Sequence, residues 1–559
     1  IVTKTKDTNL YIQDNKFELS EINLNIDINS FLEKKYKINN LEIITKKNKI
    51  KNFLNFINLY KFNLSTVLLE NRIKKGFIKS NISLVFDEKN GSIKNYNVKG
   101  TINNGKIKLL NNKFLEKINF DFNIIDKEYV FKNVEFEYEK IRINSEKIKT
   151  IKKDKEYIVE GDLVNKKQII KKQFFSNLVG FDLKDLIRDE LIIETNNNFK
   201  FTIDNKTKIK KLKIKSNLKY EKLILNYNSE ILKNYFKDYN NLIFFKNGNI
   251  EIDYSKKGLL IKGVTKYSFD KEFDNLNFNL IKKNNLYRFD TDINVNQSSL
   301  AIKEINYKKN KKKASAIKIK GHYLKDKLIN FDQISFTEKN NFLNINGIKL
   351  NTNYKIVNLN EIKVKYLNDK NKLNFFSLKK NKKDYLLYGE SFDATQLIDN
   401  ILKSDDNKSF FDIFDKLNSK LEINIKNVYL DKTNYLKNFA GLIKINQNEI
   451  ISANLNSSFS NNDKFSFSIQ SANNEKVTTL FSENAEPFVN KFDFIKGFSG
   501  GKIDFYSVKK NNISNSKIFI FDFNLKEVPA LATLLSLASL QGIADLMTGD
   551  GIRFDEFEM

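Results

Sequence analysis

Alternation of apolar and polar residues with a period of two is the feature that most limits how this chain can fold. Ile22, Leu24, Ile26 and Ile28 alternate with polar residues, and similar runs return along most of the sequence. Such alternation places successive side chains on opposite faces of a β-strand. The clearest further runs are Phe120, Phe122, Ile124; Val134, Phe136, Tyr138; Leu421, Ile423, Ile425; and Phe465, Phe467, Ile469. The sequence therefore predicts a mostly β fold.

Turn and helix signals fit between these runs. Two-residue hairpins favour Asn-Gly because both positions need positive φ, and the chain has such pairs at Asn90-Gly91, Asn104-Gly105 and Asn247-Gly248. Helical periodicity is confined to short segments, at 174–187, at 397–402 and after Pro529. We therefore expect a long antiparallel meander with a few short amphipathic helices.

The apolar face of such a sheet must either be buried in a core or line a groove. With little helix available, the sheet must close as a sandwich or barrel, or curl so that its apolar face lines a groove. About thirty strands at roughly 4.8 Å would exceed an ordinary open sheet, which favours an elongated meander curled into a U-shaped β-groove. The predicted lining residues are Phe120, Phe122, Phe136, Phe465 and Phe467. A plain sandwich core is the alternative interpretation of the same residues.

The last forty residues break the alternation. A strand through Phe521 and Phe523 runs into Pro529, which suits a first helical turn because its missing N–H is not needed there. An Ala/Leu/Ser-rich helix from Ala530 to Met547 follows, and the glycines after it precede a strand that resumes at Ile552. Apolar residues surround most of this helix, which predicts a buried or interfacial position; at about eighteen residues it is marginal as a membrane span.

This order of strand, proline, small-residue helix, glycine turn and strand resembles the AsmA-like C-terminal region of the AsmA and YhdP family of Gram-negative envelope proteins. Segments 389–394 and 500–505 look like two earlier landmarks of the same region, whereas Asn484-Ala485-Glu486 departs from the Asp-Ala-Gly that relatives often carry. The resemblance divides the chain into a repetitive β-groove body, 1–390, and an AsmA-like region, 391–559. The residues that match the signature are Pro529, Leu531, Leu534, Leu535, Gly542, Asp545, Gly549, Gly551 and Phe554.

The resemblance also implies a function. AsmA-like proteins belong with the repeating β-groove, bridge-like lipid transfer proteins, so it implies that phospholipid acyl chains occupy the groove. It further implies a periplasmic location, an inner-membrane anchor outside this sequence, transfer toward the outer membrane, and outer-membrane or envelope proteins as further partners. Because the chain opens on Ile1 and stops at Met559, short of where relatives continue, we expect it to lack segments at both ends.

The net charge of +28 permits a second interpretation, a surface that binds polyanions. The basic residues are distributed along the strands, however, and no nucleic-acid-binding motif is present, so we expect no nucleic-acid partner. The densest run, Lys308 to Lys313, is expected to be a solvated hairpin tip. A structural or assembly role in outer-membrane biogenesis, without lipid conduction, is a third possibility that shares the same fold.

The sequence lacks the residues and motifs that common catalytic sites require. The chain has no cysteine and a single histidine, His322, which excludes thiolate chemistry and leaves no His-based zinc site or Ser/His pair. Gly497 to Lys502 has the wrong spacing for a phosphate loop and is followed by Ile503. We therefore predict a protein that is not an enzyme, with no catalytic residues, no metal site and no cofactor.

Overall fold

The computed structural model describes most of the chain, in ranges separated by short gaps. These ranges are 1–12, 15–28, 32, 37–60, 69–87, 90–109, 112–154, 156–179, 182–183, 185–204, 208–324, 328–368, 370–395, 410–431, 433–472, 475–492, 497–511, 513–526 and 551–559. Pro529, Leu531, Leu534, Leu535, Gly542, Asp545 and Gly549, like the predicted helix at 397–402, lie outside the described residues.

Strands make up 73% of the structure, which confirms the predicted mostly β fold with a few short helices. The strands are β1 (Val2–Ile12), β2 (Asn15–Ile26), β3 (Ile38–Thr45), β4 (Asn48–Lys49), β5 (Ile73–Phe86), β6 (Ile93–Lys108), β7 (Phe114–Ile125), β8 (Glu128–Tyr138), β9 (Ile141–Lys153), β10 (Glu156–Ile170), β11 (Leu191–Asp204), β12 (Ile209–Asn226), β13 (Leu242–Ser255), β14 (Gly258–Ser268), β15 (Asp274–Lys283), β16 (Leu286–Asn294), β17 (Leu300–Ile302), β18 (Tyr307–Lys309), β19 (Ser315–Leu324), β20 (Ile329–Glu338), β21 (Asn341–Leu350), β22 (Ile356–Asn358), β23 (Glu361–Leu367), β24 (Leu373–Asn381), β25 (Asp384–Asp393), β26 (Ser419–Tyr429), β27 (Tyr435–Asn446), β28 (Glu449–Ser458), β29 (Lys464–Ala472), β30 (Glu475–Ser482), β31 (Phe498–Lys510), β32 (Ile513–Leu525) and β33 (Ile552–Glu558).

The helices are short. They are α1 (Ile50–Tyr60), α2 (Lys172–Val179), α3 (Glu230–Tyr235) and α4 (Glu486–Phe492), with 3-10 turns at Lys303–Ile305 and Phe410–Ile413. The helical pattern predicted over 174–187 is only partly a helix: α2 ends at Val179, and Ile187 instead forms a single β-bridge with Leu225.

The chain forms two compact units. The first contains Ile1–Tyr227, Leu242–Tyr267 and Asn279–Asn284; the second contains Asn228–Asn241, Ser268–Phe278 and Asn285–Met559. This division lies elsewhere than the boundary near residue 390, which rests on the resemblance and stays a prediction.

The first unit is an antiparallel meander. β1 pairs with β2, β2 with β3 and β3 with β5, while the short β4 pairs with the start of β5. From β5 to β13 each strand pairs with the next along the chain. In the described residues β1 pairs with β2 alone, so this edge of the sheet is open.

The second unit follows the same plan with one exception. β16 pairs with β19, and the meander continues through β20, β21, β23, β24 and β25. β25 and β26 then pair in parallel, after which antiparallel order runs to β33. Because a parallel neighbour needs a crossover, the connection after β25 is longer than a hairpin. β17 and β18 form a separate hairpin.

Two of the three predicted Asn-Gly hairpins are wrong. Gly91, with a φ of 70°, lies in the turn between β5 and β6 as expected. Asn104-Gly105 lies inside β6 and Asn247-Gly248 inside β13, with φ values of 52° and 53° at the asparagines. The register of β6 against β7 shifts between Ile102 and Gly105. A left-handed asparagine can serve a β-bulge as well as a hairpin turn, and at Asn104 it coincides with this shift of register.

Five residues of the predicted solvated tip at 308–313 are exposed, but the prediction is wrong at Lys309, which is only 1% exposed. It ends β18, and its Nζ donates to the backbone oxygens of Ser298 at 2.7 Å and of Asn296 and Asn310, each at 3.2 Å. Burial lowers the pKa of Lys309. The charge run thus contains one side chain that holds the β17–β18 hairpin region together.

Replacing Lys309 with methionine should destabilise the second unit by about 3 kcal/mol, because buried carbonyl oxygens would lose a charged hydrogen-bond donor. Denaturant unfolding followed by circular dichroism measures this loss. Lys312→Met is the matched control, since that side chain is 77% exposed and its loss should change the unfolding free energy by less than about 0.5 kcal/mol. Equal effects of the two substitutions would contradict the assignment.

Candidate functional site

A continuous row of apolar residues crosses the sheet of the second unit. Every strand from β19 to β32, apart from β22, contributes one residue, and each residue is the register partner of the next. The row consists of Ile319, Ile334, Ile345, Ile362, Leu378, Leu387, Ile423, Gly441, Leu455, Phe467, Leu480, Phe505 and Ile518. Ile423 and Leu455 are buried, whereas the other members are partly exposed.

The first unit carries a similar row, which is apolar except at Thr150. It passes from β2 to β11 through register partners on consecutive paired strands. Its members are Ile22, Ile43, Ile82, Val98, Ile124, Tyr129, Thr150, Val159 and Phe201. Of these only Val159 is buried, at 8% exposure; the others keep part of their surface in contact with solvent.

The opposite face of each sheet is mostly polar. In the first unit Lys99, Asn123 and Lys200 lie beside the row in sequence and are exposed. In the second unit Lys363 and Glu422 likewise lie beside the row in sequence and are exposed. Alternation along these strands therefore separates a mostly polar, solvated face from an apolar face that is only partly covered.

The five phenylalanines predicted from the sequence all lie on strands with the expected alternation, but they differ in burial. In the first unit Phe122 is 8% exposed and belongs to the core beneath α1, with Ile50 and Leu54. Phe120 is partly exposed, and its ring centroid lies 5.5 Å from that of Phe131 in an edge-to-face arrangement.

Phe136, also in the first unit, lies on β8 opposite Ile143 and is partly exposed. In the second unit Phe465 is 8% exposed, and its ring stacks on that of Phe488 in α4 with centroids 5.8 Å apart. Phe467 is a partly exposed member of the apolar row. Phe120, Phe136 and Phe467 thus lie on the partly exposed part of the apolar face, whereas Phe122 is buried in a core cluster that α1 joins and Phe465 lies beneath α4.

In each unit the helices lie at one end of the strands, and we call this border of the sheet the helix edge. In the first unit this is the edge at which β5, β7, β9 and β11 begin, where α1 and α2 are inserted. Phe174 of α2 packs edge-to-face on Tyr138, with ring centroids 6.4 Å apart. In the second unit α4 precedes β31, and its Val489, 0% exposed, packs with Phe498 and Ile520. Apolar side chains of the helices therefore cover the face along this edge.

The opposite ends of the strands in the first unit form a border that we call the turn edge. It carries a repeated motif that the alternation of apolar and polar residues does not reveal. Asp-Lys-Glu-Tyr occurs at 126–129 and again at 154–157, and each tyrosine is the second residue of a strand that starts at the turn edge. Tyr287 and Tyr385 hold the same second position in β16 and β25 of the second unit. A search for a tyrosine at a constant distance after a turn would have found all four.

Other site chemistries find no support in the part of the chain that the structure describes. No group of three or more potential metal ligands is present among those residues. His322 lies on β19, and its Nδ1 is 3.3 Å from the carboxylate of Asp332, an exposed pair. None of the described helices is long and apolar enough to span a membrane.

Gly551 and Phe554 are the members of the AsmA-like signature that the structure describes. Gly551 has a φ of 87°, and a Cβ there would lie 2.5 Å from the backbone oxygen of Leu525. Phe554 in β33 stacks on Phe523 in β32, with centroids 5.4 Å apart, which confirms that a strand resumes at Ile552. Comparisons with protein-family models, curated proteins and solved structures return no match for this chain. Membership in the AsmA-like family therefore stays a prediction.

Proposed function

We propose that this chain is a lipid-transfer protein whose partly exposed apolar face conducts phospholipid between the inner and outer membranes of a Gram-negative envelope. The observation that carries the proposal is the row of apolar register partners in each unit, with most of its members accessible to solvent. An ordinary sandwich core would bury such residues. A binding face for acyl chains needs them exposed.

The physical mechanism requires no catalyst. Each methylene that moves from water onto an apolar surface gains roughly 0.8 kcal/mol, so a two-chain lipid is held firmly once its chains are covered. Neighbouring positions of a row lie about 4.8 Å apart, one strand spacing. Because Ile334, Ile345 and Ile362 offer nearly the same contacts, a chain can pass from one position to the next at little cost in free energy.

The envelope location rests on the resemblance of the C-terminal region. The proposal accordingly includes a periplasmic orientation and an inner-membrane anchor outside this sequence, with outer-membrane or envelope proteins as further partners. The alternative of a structural or assembly role draws on a different observation, the burial of Phe122 in a core cluster with residues of α1 and the cover that α4 gives Phe465. If such coverage extended over the whole face, no lipid could enter.

Native mass spectrometry of the purified chain, followed by lipid extraction, tests the proposal. Phospholipid should co-purify and remain bound through gel filtration, because release of two acyl chains into water is strongly unfavourable. A non-ionic detergent at a concentration above its critical micelle concentration should remove it. A folded protein that carries no lipid and takes up none from vesicles would contradict conduction and favour the structural role.

A further inference from the structure

The turn edge of the first unit gathers three phenols and an ammonium group. Tyr96, Tyr129 and Tyr157 lie near the starts of β6, β8 and β10, on the same face as Val98, Phe131 and Val159. The rings of Tyr129 and Tyr157 meet edge-to-face with centroids 6.3 Å apart. We call Tyr96, Tyr129, Tyr157 and Lys152 the tyrosine rim.

The polar groups of the rim lie at the border of the apolar face. Tyr96 donates its hydroxyl to the backbone oxygen of Asp126 in the turn. The Nζ of Lys152 lies 5.9 Å from the ring centroid of Tyr157, and the side chain is exposed. Burial, with smaller contributions from Tyr96 and Tyr157, raises the pKa of the Tyr129 phenol.

The glutamates of the repeated motif belong to the other face. Glu128 pairs with Lys149 at 2.9 Å, and Glu156 pairs with Lys211 at 3.6 Å. Because side chains alternate along a strand, these acids lie opposite the tyrosines that follow them. The apolar face of the first unit therefore runs from apolar helices at one edge to hydroxyl and ammonium donors at the other.

We propose that the tyrosine rim holds the phosphate of a phospholipid headgroup while the acyl chains extend across the apolar face toward the helix edge. This inference rests on the proposed function and adds to it an orientation and a headgroup chemistry. The partner is a two-chain phospholipid, because a phenol offers a ring to the chains and a hydroxyl to the phosphate. Lys152 supplies the charge that complements a phosphodiester.

Each rim contact is weak alone and depends on the chains beside it. A single exposed ammonium contributes little in water, and a neutral hydrogen bond contributes about 1 kcal/mol net. The headgroup should therefore add selectivity to an affinity that the acyl chains dominate. Tyr287 and Tyr323 form a similar pair in the second unit, with ring centroids 6.0 Å apart, which suggests a second rim of the same chemistry.

The test compares phosphatidylglycerol with diacylglycerol of the same acyl chains, supplied in mixed vesicles and quantified on the full chain by mass spectrometry. The wild-type chain should retain phosphatidylglycerol at least fivefold over diacylglycerol. The variant Tyr96→Phe/Tyr129→Phe/Tyr157→Phe/Lys152→Met should lose this preference and keep its capacity for diacylglycerol. Lys153→Met is the matched control, because Lys153 is the exposed neighbour of Lys152 on the opposite face, and it should keep the preference.

The outcomes separate the two proposals. An unchanged preference in the rim variant, with diacylglycerol still bound, would overturn the rim and leave conduction intact. Failure of the wild-type chain to bind either lipid would overturn conduction, and with it the rim. Glycerophosphoglycerol, the headgroup without chains, should not compete at equal concentration; competition would overturn a phospholipid as the occupant. Circular dichroism of the variant should match the wild-type spectrum, because the four substitutions keep the rings and the aliphatic stem.

Discussion

Ile345→Glu should slow extraction of a fluorescent phospholipid from vesicles at least tenfold while the chain stays folded. Ile345 is a partly exposed member of the apolar row, with Ile334 and Ile362 as its register partners. A carboxylate at this position must lose water whenever an acyl chain covers it, which costs several kcal/mol. A tenfold change corresponds to about 1.4 kcal/mol, so a fraction of that cost suffices.

The control for the slowed extraction by Ile345→Glu is the same substitution at the preceding residue. Asn344 lies on the same strand but on the opposite face, where its register partners are Ser335 and Lys363. Asn344→Glu adds the same charge next to a lysine and should leave both stability and lipid extraction unchanged. If both variants slowed extraction equally, net charge rather than the apolar row would govern the rate. If neither did, the row would not be the path.

Strands were predictable from the sequence because their signal is local. Phe120, Phe122 and Ile124 alternate within a few residues, and they form β7; Phe465, Phe467 and Ile469 form β29 in the same way. The register that lines up residues from many strands into one row was not predictable, since it depends on bulges. Asn104 shows why: its positive φ fits a hairpin and a bulge equally well, and only the pairing with β7 distinguishes them.

The accessible part of the apolar face depended on contacts that are distant along the chain. Phe122 is buried in a core cluster that Ile50 and Leu54 of α1 join, and Phe465 is covered by Phe488 of α4. Nothing in the alternation of β7 or β29 distinguishes these positions from Phe120 or Phe467. Two members of the tyrosine rim, Tyr129 and Tyr157, were by contrast predictable, because Asp-Lys-Glu-Tyr recurs with its tyrosine at a fixed distance from the turn, whereas Tyr96 and Lys152 lie outside the repeat. A prediction that uses alternation alone selects apolar residues and therefore overlooks such a repeat.

Gly441→Val should destabilise the second unit by about 3 kcal/mol, the largest loss we expect from a single added side chain. Gly441 is the one glycine in the apolar row, between Ile423 and Leu455. A Cβ at this position would lie 2.0 Å from the backbone oxygen of Asn454 and 2.8 Å from the Cα of Leu455. Backbone atoms cannot turn aside as a flexible side chain can, so β27 and β28 would have to separate.

The direction of the stability change caused by a smaller substitution at Gly441 gives a stricter test. Replacing a strand glycine with alanine ordinarily stabilises a protein by about 0.4–1 kcal/mol, because the unfolded chain loses freedom. Gly441→Ala should do the opposite, since the Cβ alone makes the clash. Ala440→Val, on the exposed neighbouring position, should be neutral or slightly stabilising because β-branched residues suit strands. Denaturant unfolding would measure all three; a stabilising Gly441→Ala would mean that β27 and β28 lie further apart than described, and that the row is interrupted between Ile423 and Leu455.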